Sequence, residues 1–430
     1  MNRLKIFLQR DFEKLEKIFK NSSLLGNIRA ISSKSEAHRA LICAAISDKK
    51  TKIICTDTNA DIDATAACLS SLGANILRIE GGFEVTPISE PRFGATLDAN
   101  ESGTTLRFLL PLISSLGVSA SFIMRGRLAS RPLSPLYELL SMNGVSLSPE
   151  GESPLNISGR LSAGDYSLAA NVSSQYISGM LFALAISEGK SRLTLEGKLE
   201  SAPYLMMTLD TLLLFGADIN FERESMTFLI NGKKRLSSPS LFTVGGDWSN
   251  AAFPIVGGVI GDHPVRVSSL NTESRQGDKA VIDVLCRMGA LIECVDGDII
   301  AYPSRLHGTV IDAANIPDLV PILALAASVA EGETRICNAS RLRLKESDRI
   351  ESVCTTLSSL GAIIRPTDDG MIIQGKSALR GGSVDSYNDH RIAMCAAIAS
   401  LVSENEVRID RFEAINKSYP SFTDIWENED

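Results

Sequence analysis

The hexapeptide Leu-Ser-Ser-Leu-Gly-Ala occurs twice in this chain, at residues 69–74 and again at 357–362. Variants stand between them: Leu-Ser-Met-Asn-Gly-Val at 140–145, Leu-Leu-Phe-Gly-Ala at 213–217 and Cys-Arg-Met-Gly-Ala at 286–290. Their glycines, Gly73, Gly144, Gly216, Gly289 and Gly361, are 71, 72, 73 and 72 residues apart. Each closes an apolar helical stretch, and a glycine just past a helix takes the left-handed conformation that other residues resist. One supersecondary unit with one helix stop is therefore repeated, and six units of about 72 residues fill the 430-residue chain.

A second periodicity runs in parallel. Six small-residue apolar stretches each follow a polar turn: 35–46, 104–116, 174–187, 249–260, 318–330 and 390–402. They are apolar nearly all round, which predicts buried helices. The stretches that end at the glycines, such as 61–72 and 348–360, are amphipathic and predict outer helices. Short Val/Ile-rich runs at 52–55, 192–195, 265–267 and 334–337 predict strands. The fold class is α/β, with one buried helix, one outer helix and a few strands per unit. A sixth outer helix is expected near Tyr419-Pro420-Ser421. Three units per domain is the natural division, with a Ser/Pro-rich seam at 237–244.

Composition sets bounds. A content of 44% hydrophobic and 22% charged residues suits a water-soluble globular chain. The net charge of −8 argues against general nucleic-acid binding. Charges at Arg10, Asp11, Glu13 and Lys14 interrupt the N-terminus and argue against a secretory signal. The apolar helices are too short to span a bilayer. A cytoplasmic protein is expected. The eight cysteines form no CxxC pair and mostly lie in apolar runs, so buried free thiols are expected. Four histidines without HExxH offer little for a metal, and no Walker-type GxxxxGK[ST] supports a nucleotide-dependent kinase.

The turns before the buried helices carry the chemistry. Helix starts present unpaired N–H groups and a partial positive charge, so several converging starts make an anion-binding surface. Ser33-Lys34-Ser35 with Arg39, Glu101-Ser102-Gly103-Thr104 with Arg107, Ser173-Ser174-Gln175, Asp247-Trp248-Ser249-Asn250, Asp318 and Asp389-His390-Arg391 stand at these starts. Serine, threonine and aspartate are ordinary caps. Capping does not explain a lysine or arginine in a first turn, where it opposes the dipole; an anionic ligand does. Further cations cluster at Arg125, Arg127 and Arg131 and along Arg341–Arg349. A cationic cleft in an acidic protein suits small, multiply anionic substrates.

Six segments, in order and in register with the repeat, resemble the enolpyruvyl transferases, in particular their shikimate 3-phosphate branch. They are Ser-Lys-Ser-x3-Arg (33–39), Ser-Gly-Thr-x2-Arg (102–107), Arg-Pro (131–132), Ser-Ser-Gln (173–175), Leu-Lys-Glu-Ser-Asp-Arg-Ile (344–350) and Asn-Asp-His-Arg-Ile-Ala-Met (388–394). The likeness runs from about Gly26 to Pro420. It implies a two-domain inside-out α/β barrel of six βαβαββ-type units, with the active site in the interdomain cleft. The implied bounds are 33–243 for the first domain and 1–32 plus 244–430 for the second.

The resemblance implies transfer of the enolpyruvyl group of phosphoenolpyruvate to the 5-hydroxyl of shikimate 3-phosphate, by addition and then elimination of phosphate. Asp318, Glu346 and Lys34 are the implied catalytic groups. Shikimate 3-phosphate is assigned to Lys34, Ser35, Arg39, Ser173, Ser174, Gln175, Ser201, Tyr204, Asp318 and Lys345. Ser173, Ser174 and Ser201 would hold its phosphate. Phosphoenolpyruvate is assigned to Lys34, Gly103, Arg131, Gln175, Arg349, Arg391 and Lys417. No cofactor or metal is implied. A monomer, sensitive to glyphosate through Gly103, is expected. The chain departs from the family pattern at Ile31-Ser32, where Pro-Gly is usual, and at Glu101, Arg341 and Phe108. The alternatives are the relative that acts on UDP-N-acetylglucosamine and a catalytically inactive binding relative. The former typically uses a cysteine in a first-domain loop, and this chain has none between Cys68 and Cys286.

Overall fold

The computed structural model describes residues 16–20, 23–376 and 378–427. The N-terminal charges read against a signal, and the first part of the second implied domain, lie outside the described residues. Among the described residues no helix is long and apolar enough to cross a membrane.

Eleven α-helices form among the described residues. They are α1 (Lys34–Ala45), α2 (Ala60–Ser71), α3 (Gly103–Leu116), α4 (Leu136–Met142), α5 (Ser174–Ala185) and α6 (Ala202–Leu214), then α7 (Trp248–Ile260), α8 (Val281–Arg287), α9 (Val320–Ser328), α10 (Arg349–Ser359) and α11 (His390–Ala399). The odd-numbered helices α1, α3, α5, α7, α9 and α11 are buried along almost their whole length, as their all-round apolar sequence demands. Side chains cap most of them: Ser33, Ser102, Ser173, Asp247 and Asp389 each accept a backbone N–H of the following first turn.

The repeated glycines do what their spacing predicts. Their φ angles are +117° at Gly73, +84° at Gly144, +71° at Gly216, +96° at Gly289 and +101° at Gly361. At four of them the next residue donates back five positions, from Ala74 to Leu69, Ala217 to Leu212, Ala290 to Leu285 and Ala362 to Leu357, at 2.9–3.1 Å. This bond satisfies a carbonyl that the helix end would otherwise orphan.

Each helix pair is covered by a small sheet. Five sheets have four strands in one common order: a parallel pair, then an antiparallel hairpin. In the first, 241–243 runs parallel to 51–54, which pairs antiparallel with 82–86 and that with 75–79. The sixth has three strands, 17–19, 407–410 and 382–385. In place of the sixth outer helix, two 3-10 turns form at Phe412–Lys417 and Phe422–Ile425. Phe422 and Trp426 of this segment pack with Phe19 and Phe253 rather than build a helix face.

Two clusters of buried apolar side chains organise the molecule. One spans Ala37 to Val244; the other combines Phe19–Ile31 with Trp248–Trp426. The chain passes between them twice, and the two passages pair with each other. Ser33 N donates to Gly245 O at 2.8 Å, Asp247 N donates to Ile31 O at 2.8 Å, and Ser32 bridges Gly246. Ile31-Ser32 thus takes part in a short two-stranded crossing. The seam at 237–244 holds the strand 241–243, which belongs to the first sheet. The expectation of buried thiols fails at three positions. Cys286 and Cys294 are exposed and Cys337 is half-buried, because they lie on outer helix and strand faces.

Candidate active site

The starts of all six buried helices line one cleft between the two clusters. It is faced by Lys34 and Ser35 of α1, Gly103 and Thr104 of α3, Ser174 and Gln175 of α5, and Ser249 of α7. Asp318, in the 3-10 turn ahead of α9, and His390 and Arg391 of α11 complete the ring. Lys34, Arg39, Arg107, Arg131, Arg341, Lys345, Arg349 and Arg391 outnumber the carboxylates Asp61, Asp247, Asp318 and Glu346 by two to one on this lining. The helix dipoles add to that surplus. An acidic chain has concentrated positive potential in a single cavity.

Arg349 is the hub. Its side chain is 1% exposed, and it donates to Asp389 Oδ2 (2.8 Å), Glu346 Oε2 (2.7 Å) and Asp318 Oδ1 (2.7 Å). Burial alone would lower its pKa, but Asp389, Glu346 and Asp318 outweigh that and push it up. Asp318 is held further by Arg391 Nη2 at 3.3 Å and Lys345 Nζ at 3.6 Å. Burial pushes the Asp318 carboxyl up, yet Arg391, Lys345 and Arg349 hold it well below the usual carboxylate range. Glu346 behaves alike: burial raises it, and Arg349 and Arg131 bring it well below its ordinary value. Both are therefore ionised carboxylates.

On the opposite wall, Lys34 Nζ pairs with Asp61 Oδ2 at 3.0 Å, and the Lys34 backbone N–H donates to Asp247. Arg39 uses its donors on Thr208 Oγ1, Ser35 O and Tyr204 O, with its plane over Phe108, which is fully buried. Arg107 donates to Gln175 Oε1 (2.8 Å) and Pro132 O (3.1 Å), so it orients the glutamine and the Arg131-Pro132 turn. Of Arg125, Arg127 and Arg131, the last lines the cleft; Arg125 pairs with Asp98 at the surface, and Arg127 donates to the Glu346 carbonyl.

Lys34, Ser35, Arg39, Gly103, Arg131, Ser173, Ser174, Gln175, Ser201, Tyr204, Asp318, Lys345, Glu346, Arg349 and Arg391 all line this cavity. Lys417 does not. Its ammonium is held by Glu101 at 2.9 Å. Arg341, noted in the sequence as one of the clustered cations and as a departure from the family pattern, lines the cleft, donates to Ser201 Oγ at 3.2 Å and is ion-paired with Glu200.

Sequence reasoning assigned no role to three other groups. Asp61 was visible only as a helix start. His390 was visible only inside its motif; it is 2% exposed, and neither ring nitrogen has a hydrogen-bond partner. Burial, then Lys34 and Arg391, keep it neutral, so it can donate or accept at the cleft. Asp278 stands behind the lining, and no local signal marks it. It is 1% exposed and accepts the Tyr204 hydroxyl at 2.7 Å. Burial and the charge of Asp318 push its carboxyl from 3.8 up to about 6, against Arg391, Ser249 and Tyr204.

A carboxyl raised on folding is destabilising once ionised. That penalty is absent below about 4 and complete above about 6. Asp278→Asn is therefore expected to raise the melting temperature at pH 7.5 by roughly 2 °C or more. The gain should shrink as pH falls from 6 to 4, which a thermal-melt series across pH reads directly.

The repeated α/β units around one cationic cleft place the chain in the enolpyruvyl transferase fold class. An enolpyruvyl transferase from Streptomyces tendae shares the fold at a TM-score of 0.78, with 19% identity over 96% of this chain and 97% of that one. Residues 18–426 match the family of EPSP synthase (3-phosphoshikimate 1-carboxyvinyltransferase), and the chain belongs to that family. It is 42% identical to the 3-phosphoshikimate 1-carboxyvinyltransferase of Clostridium perfringens, over 95% of this chain and 96% of the relative. The Clostridium novyi enzyme of the same name is 40% identical over 93% of this chain and 94% of its own length. An EPSP synthase structure from Acinetobacter baumannii superposes at a TM-score of 0.77, with 27% identity over 95% of this chain and 97% of that one.

Proposed function

We propose that this chain transfers the enolpyruvyl group of phosphoenolpyruvate to the 5-hydroxyl of shikimate 3-phosphate, releasing phosphate. The observation that carries the proposal is the convergence of six helix starts and a two-to-one surplus of cations on one cleft that also holds two carboxylates, Asp318 and Glu346. Ligands bearing a phosphate and a carboxylate each match that field. We assign the two apolar clusters to two domains, 33–243 and 1–32 plus 244–430, closing on the substrates as a cytoplasmic monomer.

Shikimate 3-phosphate sits with its phosphate on Ser173, Ser174 and Ser201, with Lys34, Ser35, Arg39, Gln175, Tyr204 and Lys345 around it. The Arg341 guanidinium beside Ser201 adds a charge-assisted donor at that phosphate. Phosphoenolpyruvate takes Lys34, Gly103, Arg131, Gln175, Arg349 and Arg391. Arginine forks suit its carboxylate and phosphate.

Asp318 accepts the proton of the 5-hydroxyl as that oxygen attacks carbon 2 of phosphoenolpyruvate. Glu346, with Lys34, delivers a proton to the methylene carbon, which becomes a methyl in the tetrahedral intermediate. Loss of a proton from that methyl and departure of phosphate restore the vinyl group. Arg349 and Arg131 hold Glu346 ionised, so binding of the substrates must change its state. Their negative charges neutralise Arg131 and Arg349, the groups that hold it down, and so move its pKa toward that of a proton donor. Asp318 becomes a better base by the same exchange.

Turnover in D2O tests the sequence of steps. The product vinyl carbon should acquire deuterium, because a methyl intermediate returns any of its three hydrogens. Product free of deuterium throughout would contradict a methyl intermediate. The glyphosate reading stands on Gly103. A Cβ there would lie 2.8 Å from Arg131 Nη1 and 3.0 Å from its Cζ. Gly103→Ala must push that guanidinium aside, so KM for phosphoenolpyruvate should rise roughly tenfold or more, with glyphosate inhibition weakened at least as much. Steady-state titration of both ligands checks this; an unchanged KM for phosphoenolpyruvate would separate Arg131 from that substrate.

A further inference from the structure

Lys417 is the one implied phosphoenolpyruvate ligand that stays off the cleft lining. It is not idle. Its Nζ lies 2.9 Å from Glu101 Oε2 and 2.6 Å from the Asn388 carbonyl. Asn388 Nδ2 in turn reaches both Glu101 oxygens at 3.2 Å. The carboxylate rests on Gly126, where a Cβ would come within 2.5 Å of Oε2 and push the Glu101 side chain aside. Glu101 directly precedes Ser102, the cap of α3, and Gly103 of the cleft. Lys417 and Asn388 belong to the other half of the molecule, so the contact joins segments of the two apolar clusters. With 13% and 24% exposure, the pair is better shielded than a surface ion pair.

We propose that Glu101 sets the affinity of the cleft for phosphoenolpyruvate by holding Lys417, so that the incoming anion must exchange with this carboxylate before Lys417 can serve it. The inference rests on the enolpyruvyl-transfer reading above. Two effects act with one sign. The carboxylate repels an anion bound at the adjacent Gly103, and it neutralises a cation that the anion would use. A lysine is a point charge on a flexible stem, so the exchange needs only a side-chain swing. Neutralising residue 101 removes both effects at once.

Glu101→Gln tests this, since glutamine keeps the length and an amide oxygen for Lys417 and Asn388. KM for phosphoenolpyruvate should fall roughly fivefold, glyphosate should inhibit at correspondingly lower concentration, and the change should fall on KM more than on kcat. Lys417→Met in the Glu101→Gln background should return KM for phosphoenolpyruvate to about the wild-type value or above, because the gain comes from the released ammonium. That coupling is a readout that general loosening of the fold would not produce. An unchanged or raised KM in Glu101→Gln, or a double variant whose KM stays as low as that of Glu101→Gln alone, would overturn the inference. If Glu101→Gln does not fold, Glu101→Asn is measured in its place with the same two outcomes. Wild-type protein that releases no phosphate from phosphoenolpyruvate with shikimate 3-phosphate would overturn the functional reading itself, and this inference with it.

Discussion

Asp318→Asn is expected to lower kcat by roughly a thousandfold, the usual weight of a positioned general base. Asparagine keeps the shape and one oxygen acceptor, so the donors of Arg349, Arg391 and Lys345 that now converge on the carboxylate retain a partner. What it loses is the capacity to take a proton. The two anionic substrates still meet the same cations, and removing a negative charge favours them. Their KM values should therefore stay level or fall while kcat collapses, the pattern of an interaction made only in the transition state. A kcat within tenfold of wild type would remove Asp318 from the chemistry.

Arg349→Met is expected to abolish turnover and to destabilise the fold by about 3–5 kcal/mol, the cost of leaving buried charges unpaired. Asp389, fully buried, loses its Arg349 partner, and Glu346 and Asp318 lose their shortest contact. The loss should depend on pH with a definite sign. Glu346 and Asp318 are held well below their ordinary values, so they stabilise the wild type above those values and lose this as pH falls through the folded ones. Without Arg349 that contribution largely vanishes. The gap between variant and wild type should be widest near neutrality and begin to narrow as pH falls below about 4, toward the lower folded values. Arg349→Lys should recover part of the stability and little of the rate, because an ammonium cannot reproduce a fork to three carboxylates. Urea unfolding at pH 7 and pH 3 gives the sign, and an equal gap at both would contradict this account of Arg349.

Much of the architecture was legible because its signals are local. A glycine at a helix stop needs only its own φ, and all five recurrent glycines have it. An all-round apolar stretch can only be buried, and the six such stretches are. The helix boundaries fall within two residues of the expected starts, because caps such as Ser33 and Asp389 act on their own first turn. The exception is the last unit. Tyr419-Pro420 suggested a helix, but Phe422 and Trp426 find aromatic partners on Phe19 and Phe253, and that packing favours tight turns.

The cleft was legible as a set of cations, and less so as a set of pairings. Which carboxylate each cation meets depends on segments far apart in sequence. Lys417 is paired with Glu101, 316 residues away, which no local pattern reveals. Arg341 with Glu200 and Tyr204 with Asp278 are of the same kind. Sequence marked Glu101 and Arg341 as unusual; only the fold shows that one pairs with Lys417 and that the other lines the cleft beside Ser201.

The most direct test is phosphate release from phosphoenolpyruvate by the purified chain, with and without shikimate 3-phosphate. The account predicts release that requires shikimate 3-phosphate, yields a stoichiometric enol ether at its 5-oxygen, and stops in Asp318→Asn. Release that is independent of shikimate 3-phosphate, or that occurs only with UDP-N-acetylglucosamine, would contradict it.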